Sequence, residues 1–192
     1  ATHVPVGDDQ KQHLELCRDI AQKFNNDYKV QDFLVPPEPL IQKQFSRIMS
    51  LKDGSKKMSK SDESDLSRIN LKDDKDSISN KIKKAKTDQY PIPSEIKELE
   101  NRPEAENLLG IYSSLKNQKI EKTLEEFGGK NFSEFKTNLS DQLIERISPI
   151  TREINKLLDN PDYLDKILFS GGEKANAIAE KKVKELKKII GF

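Results

Sequence analysis

Lys57-Met58-Ser59-Lys60-Ser61 sets two ammonium groups three residues apart among two hydroxyls. Asp53-Gly54-Ser55 before it is a turn signal, and Asp62-Glu63-Ser64-Asp65 after it offers nothing apolar to bury. The run reads as a mobile surface loop. Its cations and hydroxyls suit a phosphate, above all a leaving group that gains negative charge as it departs. A solvated charged turn has the same composition, so the five residues alone leave both readings open. A second cluster is Gly7-Asp8-Asp9-Gln10, where a strand ends and a helix begins. In open α/β sheets ligands gather beyond the C-terminal ends of strands. Gly7 lets a ligand approach the backbone closely, and N–H groups at a helix start point outward. Asp8 or Asp9 can accept from ribose hydroxyls, and Gln10 can both donate and accept. An ordinary acidic helix start is the competing reading.

The elements that would position these residues follow from the apolar spacing. Val4 to Val6 reads as a strand end broken by Gly7. Asp8-Asp9 opens a helix whose Leu14, Cys17, Ile20, Ala21 and Phe24 form one buried stripe. Phe33-Leu34-Val35 is a short strand candidate closed by Pro36-Pro37. Pro39 to Ile41 and Ser46 to Leu51 are extended or loop segments leading to the lysine loop. Beyond Leu71 nearly everything reads as helix. Ile78, Ile82 and Ala85 mark one helix. Pro103 opens another that carries Leu108, Leu109, Tyr112 and Leu115. Leu124 and Phe127 mark a short one stopped by Gly128-Gly129. Phe135, Leu139, Leu143, Ile147, Ile150, Ile154 and Leu157 form the longest apolar face, which Pro149 should kink or split. Asn160-Pro161 starts a further helix that Gly171-Gly172 should stop. The last helix shows Ala175, Ala179, Val183, Leu186 and Ile190 on one face and lysines over much of the rest. The expected fold is therefore α/β up to residue 71, followed by an all-α bundle over residues 72–192. The polar stretch from Lys52 to Ser67 is the expected hinge.

Composition narrows the classes of function. The chain has 192 residues, of which 33% are hydrophobic and 35% charged, with a net charge of +1. The core is modest, and any nucleic-acid contact must come from local patches. Cys17 is the only cysteine, which excludes an internal disulfide and suits a reducing compartment. No apolar run approaches the length of a membrane span. Ala1 to Gly7 lacks an initiator Met and begins in mid-strand, so the chain is expected to be a fragment.

Taken together, the two clusters resemble class I aminoacyl-tRNA synthetases, and most closely the tryptophanyl-tRNA synthetases of bacterial and organellar type. The resemblance rests on His3-Val4-Pro5-Val6-Gly7-Asp8-Asp9-Gln10-Lys11-Gln12-His13, Arg47-Ile48-Met49-Ser50-Leu51, Lys56 to Asp62, Ile82 to Asp88, Pro149 to Glu153, Pro161 to Leu164 and Ile190-Gly191-Phe192. It implies the C-terminal portion of a Rossmann-like ATP and amino-acid domain over residues 1–71. A helical domain that binds the tRNA anticodon would follow. The implied activity is ATP-dependent activation of L-tryptophan to an adenylate and its transfer to tRNA(Trp). ATP would enter with Mg²⁺ as a substrate, and no residue is implied as a metal ligand. Gly7, Asp8 and Asp9 would hold the nucleotide, and Gln10 would lie near the ribose or the amino acid. Ile48 would line the adenine pocket, with Met49 and Met58 nearby. Lys57 and Lys60 would carry the catalysis by binding the β- and γ-phosphates, assisted by Ser59 and Ser61. The resemblance further implies a homodimer, and a bacterial cytoplasm or a mitochondrial matrix.

The family's His-x-Gly-His-type motif and its indole-reading acidic residue are absent from the chain, which is expected to be inactive alone. Gly54 stands where many relatives have proline, an expectation of a looser loop base. Tyrosyl-tRNA synthetase is the alternative within the superfamily, and a non-catalytic tRNA-binding or dimerising module is the alternative outside it. His3 and His13 make a poor zinc site without a cysteine cluster. His13 falls beside Gln10 on the helix, and Cys17 is expected in the core.

Overall fold

The structure, a computed structural model, describes residues 1–7, 10–41 and 47–192. The chain forms two compact units. One comprises Ala1–Gln42 with Lys156–Phe192, and the other Lys43–Asn155.

In the first unit, β1 (His3–Pro5) and β2 (Glu38–Leu40) pair in parallel, His3 opposite Glu38 and Pro5 opposite Leu40. A parallel pair cannot be closed by a tight turn, and α1 (Lys11–Asp27) supplies the crossover. The second strand is Glu38–Leu40, not Phe33–Val35. Asn25 explains the displacement. Its side-chain amide donates to the Leu34 carbonyl (2.8 Å) and accepts from the Leu34 N–H (3.0 Å), so that backbone is diverted from any ladder. Phe33 is engaged instead by the Phe24 ring and by the Lys182 ammonium, 3.6 Å above its face. The buried stripe of α1 is also narrower than its spacing suggests. Ala21 is buried and Leu14 and Phe24 half-buried, but Cys17 is exposed and Ile20 is 57% exposed. Two strands of three residues are too narrow to cover a helix of 17. The predicted opening turn at Asp8-Asp9 lies outside the described residues.

The final helix of this unit also departs from expectation. It runs unbroken through Gly171-Gly172, from an Asn160 cap that accepts the Tyr163 N–H (3.3 Å) to Gly191 at φ +93°. Glycine lacks a Cβ and favours the left-handed conformation that ends helices, and Gly191 uses this where the mid-helix pair does not. No residue of the helix is buried, including the predicted Ala175–Ile190 face.

The second unit holds the core. Its helices are α2 (Lys75–Lys84), α3 (Pro103–Leu115), α4 (Ile120–Phe127) and α5 (Phe132–Leu158), and the C-terminal helix of the first unit (Pro161–Ile190) is α6. Asp74 caps α2 by accepting the Ser77 N–H (2.7 Å), Pro103 sits in the first turn of α3, and Gly129 at φ +76° follows α4. The predicted apolar sets of α2, α3 and α4 pack into one cluster with Phe135, Leu139 and Leu143 of α5. Phe127 meets Tyr112 and Phe135 edge-on, with ring centroids 5.2 and 5.1 Å apart. Burial, then the neighbouring Glu126 carboxylate, pushes the Tyr112 hydroxyl up to about 12. Pro149 does not split α5. The buried Thr151 hydroxyl donates to the Leu71 carbonyl (2.7 Å) just beyond it and ties the helix to the preceding segment. Of the predicted apolar face beyond Pro149, Ile150 is 45% exposed, while Ile154 and Leu157 are half-buried.

Three basic residues hold the loops of this unit through ion pairs. Lys81 is buried between Asp65 and Asp73, at 2.7 Å from each. Arg102 donates to both Asp88 oxygens at 2.7 Å. Lys86 meets Glu104 at 2.7 Å. The paired cation in each case holds Asp65, Asp88 and Glu104 below the usual carboxylate range. Among the described residues, no helix is long and apolar enough to cross a membrane.

Two outcomes follow from this packing. Phe135→Ala removes a fully buried ring and should lower unfolding stability by about 3–5 kcal/mol in urea melts, whereas Ile178→Ala, 77% exposed, should stay within about 0.5 kcal/mol. Because the folded carboxylate values lie below the unfolded ones, near pH 4, the stability from these pairs is complete above about pH 4. It is lost as pH falls through the folded values. Asp88→Asn should therefore melt lower than wild type at pH 7, with the gap closing as pH approaches 3.

Candidate functional site

The lysine segment begins on the second strand of a small hairpin, built into the second unit, and continues just beyond that strand. Met49 and Lys57 stand opposite each other in antiparallel pairing. The Ser50 N–H donates to the Lys56 carbonyl (2.8 Å) and the Met58 N–H to the Ile48 carbonyl (3.1 Å). Ser50 and Ile48 thus bond across the hairpin. Met49 and Leu51 turn their polar groups the other way, as strand alternation requires. The Leu51 N–H donates to the Ser67 carbonyl (2.9 Å), and its own carbonyl accepts from the Lys86 N–H (2.7 Å). The Met49 N–H donates to Asn107 Oδ1 (2.9 Å), and its carbonyl accepts from Asn107 Nδ2 (2.9 Å). Leu51 and Met58 then enter or flank the apolar cluster.

The turn that precedes the lysines is equally fixed. Asp53 Oδ1 accepts from the Ser55 N–H (3.1 Å) and hydroxyl (2.6 Å), and Lys56 lies 3.4 Å from its other oxygen. These contacts, Ser55 foremost, hold Asp53 below the usual carboxylate range. Gly54 is buried against the first turn of α3. A Cβ there would lie 2.5 Å from the Pro103 carbonyl carbon and the Glu104 nitrogen. The expected loosening at Gly54 is thus not what the structure shows, since the glycine is what permits close packing. A cavity of about 220 Å³ lies beside it, lined by Arg47, Met49, Gly54, Pro103, Glu106 and Asn107.

Met58 and Ser59 are half-buried, while Lys57, Lys60 and Ser61 are exposed. The Ser59 and Ser61 hydroxyls lie 3.1 Å apart, and the Ser61 N–H donates to Ser59 Oγ (3.3 Å). The far end is anchored where Arg68 donates to the Asp62 carbonyl (2.8 Å). Ile48, Met49, Lys57 and Met58 therefore share one hairpin, and Ser59, Lys60 and Ser61 follow its second strand, so that two cations and two hydroxyls lie on and just beyond one fixed strand. Such a segment can neutralise phosphate oxygens without having to move the strand.

The other predicted cluster belongs to the first unit. Gly7 is half-buried after β1, and its carbonyl accepts the Gln10 N–H (3.0 Å). Gln10 is the residue before α1, and its Oε1 lies 2.9 Å from His13 Nδ1. The pairing of Gln10 with His13 one turn along matches their expected adjacency. Asp8 and Asp9 lie outside the described residues. Among the described residues, no three His, Cys, Asp or Glu side chains gather as a metal site.

Sequence reasoning missed Asn107, Glu104 and Lys86 as parts of the loop's support. Asn107 left one signal. It is a polar residue on the α3 face that carries Ala105, Leu108 and Leu109, all buried.

The family model for tRNA synthetases class I (W and Y) matches residues 1–148. The chain is 52% identical to the tryptophan–tRNA ligase of Brucella melitensis, with all of the chain and 59% of that protein covered. It is 53% identical to the tryptophan–tRNA ligase of Agrobacterium fabrum with the same coverage. The chain thus spans 59% of the length of these curated relatives. A crystal structure of tryptophanyl-tRNA synthetase from Mycoplasma pneumoniae superposes over the whole chain with a TM-score of 0.81 and 29% identity, covering 58% of that structure. One from Campylobacter jejuni, complexed with ADP and tryptophan, gives 0.68 at 27% identity and covers 57%.

Gly54→Ala should force the turn off α3 and lower stability by about 1–3 kcal/mol in urea melts, because the atoms it meets are backbone and cannot swing aside. An unchanged midpoint would show that this contact is not held in solution.

Proposed function

Because the chain belongs to the family of class I tryptophanyl- and tyrosyl-tRNA synthetases, we propose that it forms the phosphate-binding and helical portion of a tryptophan–tRNA ligase. The observation that carries the proposal is the presentation of Lys57, Ser59, Lys60 and Ser61 on and just beyond the second strand of one fixed hairpin. Support comes from the tryptophan–tRNA ligases to which all of the chain aligns, and from the Campylobacter jejuni synthetase, whose structure holds ADP and tryptophan. The tyrosine-specific alternative has no counterpart among these named relatives.

In this reading residues 1–71 belong to a Rossmann-like ATP and amino-acid domain, and residues 72–192 to a helical domain that binds the tRNA anticodon. The tryptophan carboxylate attacks the α-phosphorus of ATP in line. A P–O bond forms to the carboxylate oxygen as the bond to the bridging oxygen of pyrophosphate breaks. No general base is needed, since the attacking carboxylate carries no proton to remove. The protein's work is positioning and charge stabilisation. Lys57 and Lys60 meet the β- and γ-phosphates and stabilise the charge that accumulates on departing pyrophosphate, and Ser59 and Ser61 donate to the same oxygens. Ile48 sits at the hairpin's base beside Met49 and Met58 and packs on the adenine. Gly7, Asp8, Asp9 and Gln10 hold the ribose side of the nucleotide. Mg²⁺ enters with the ATP and keeps several of its waters. A ribose hydroxyl at the 3′ end of tRNA(Trp) then attacks the carbonyl of the adenylate, forming an ester to the tryptophanyl group as the bond to phosphate breaks and AMP leaves. The whole enzyme acts as a homodimer in the bacterial cytoplasm.

The test is tryptophan-dependent exchange of labelled pyrophosphate into ATP. It compares this chain with a version extended upstream to the relatives' length. Exchange is expected in the extended form and not with tyrosine. Lys57→Ala or Lys60→Ala should each slow it by about 10²-fold, the loss of about 3 kcal/mol of transition-state stabilisation. No exchange in either form would remove the ligase reading, and exchange with tyrosine would move the assignment to the sister specificity.

A further inference from the structure

Met49 is the residue directly opposite Lys57, and the pair is of the kind that exchanges no hydrogen bonds with each other. The polar groups of Met49 therefore point away from Lys57, toward the open side of the hairpin. In a wider sheet a third strand would take them. Here a single side chain does so. Asn107, 3% exposed within α3, presents its amide oxygen to the Met49 N–H and its amide nitrogen to the Met49 carbonyl, both at 2.9 Å. Only a carboxamide has an acceptor and a donor side by side at the spacing of a peptide group. Two backbone groups of the half-buried Met49 are thereby satisfied from a helix 58 residues away in sequence.

We propose that Asn107 is a positioning residue for the phosphate chemistry. It stands in for a missing strand, fixes Met49, and through the Met49–Lys57 pair sets where the Lys57 ammonium meets the leaving pyrophosphate. This deepens the ligase reading and rests on it. The same contact ties Ile48, one residue before Met49, to α3, so adenine and pyrophosphate are held from one point on the helical body. A displacement of about 1 Å in a catalytic group can reduce turnover by about 10²-fold, which sets the size of the expected effect.

Two substitutions separate positioning from general stability. Asn107→Asp keeps the acceptor and loses the donor. Asn107→Leu keeps the volume and loses both. In the chain extended upstream, each should lower the rate of tryptophan-dependent pyrophosphate exchange at saturating tryptophan by about 10²-fold. The KM for tryptophan should be unchanged and that for pyrophosphate raised. In a Lys57→Ala background Asn107→Leu should have little further effect, because residues acting through one group are not additive. Equal losses in both backgrounds, or a matching rise in the KM for tryptophan, would overturn the proposal. A second arm needs no catalysis. In brief trypsin digestion of the chain itself, read by mass spectrometry, cleavage after Lys60 should precede cleavage after Lys56 and Lys57. In Asn107→Leu the Lys56 and Lys57 cuts should become as fast as the Lys60 cut, and an unchanged order would overturn the proposal. A parent that shows the ordered cleavage but no exchange would count against the ligase reading and leave the Asn107 clamp standing.

Discussion

A two-stranded hairpin has two open edges, and each residue on them carries peptide groups that need partners. The lysine hairpin can stand in a defined place only because its inner edge is paired throughout. Asn107 takes both groups of Met49, and Ser67 and Lys86 take those of Leu51. The pairing is strict in its alternation. Ile48 and Ser50 bond across the hairpin, and Met49 and Leu51 bond to the helical unit. An isolated hairpin is at best marginally stable in water. This one borrows its order from α3 and from the apolar cluster that Leu51 enters.

The rest of the second unit is arranged around that requirement. Gly54 lets the turn press on the backbone of Pro103 and Glu104, and Glu104 in turn gathers Lys86. Lys81, buried between Asp65 and Asp73, fixes the segment on the far side of the loop. Buried ion pairs add little net stability relative to an apolar replacement, but breaking one leaves an uncompensated charge. Their effect here is to define one arrangement of the two loop ends while the lysines between them face solvent. A site that must accept a multiply charged nucleotide and release pyrophosphate benefits from such a division between fixed base and exposed end.

Much of this was legible in the residues. The turn signal, the lysine–serine run and the apolar sets of α2, α3 and α4 read directly, because each depends on local spacing. The parallel strand pair flanking α1 was legible as an α/β pattern, but its second strand was misplaced. Phe33-Leu34-Val35 has the better strand composition, and the long-range amide of Asn25 is what removes it from the ladder. Periodicity overstated the burial of Cys17, Ile20 and the Ala175–Ile190 face, since it reports that a face is apolar and not what covers it. Gly171-Gly172 looked like a stop, yet two glycines cost only about 2 kcal/mol in a helix of 30 residues. The Asn107 bracket was invisible for the same reason as Asn25. A side-chain amide that replaces a strand leaves no motif, only a polar residue on an apolar face.

The hairpin from Ile48 to Met58 is part of the helical body, whereas the lysine–serine segment that follows it is not. Amide hydrogen exchange on this chain, resolved by residue, measures that difference directly. Met49, Ser50, Leu51 and Met58 should exchange at rates comparable with the interior amides of α3, and Lys60 and Ser61 orders of magnitude faster. Uniformly fast exchange from Ile48 to Ser61, with α3 still protected, would contradict it.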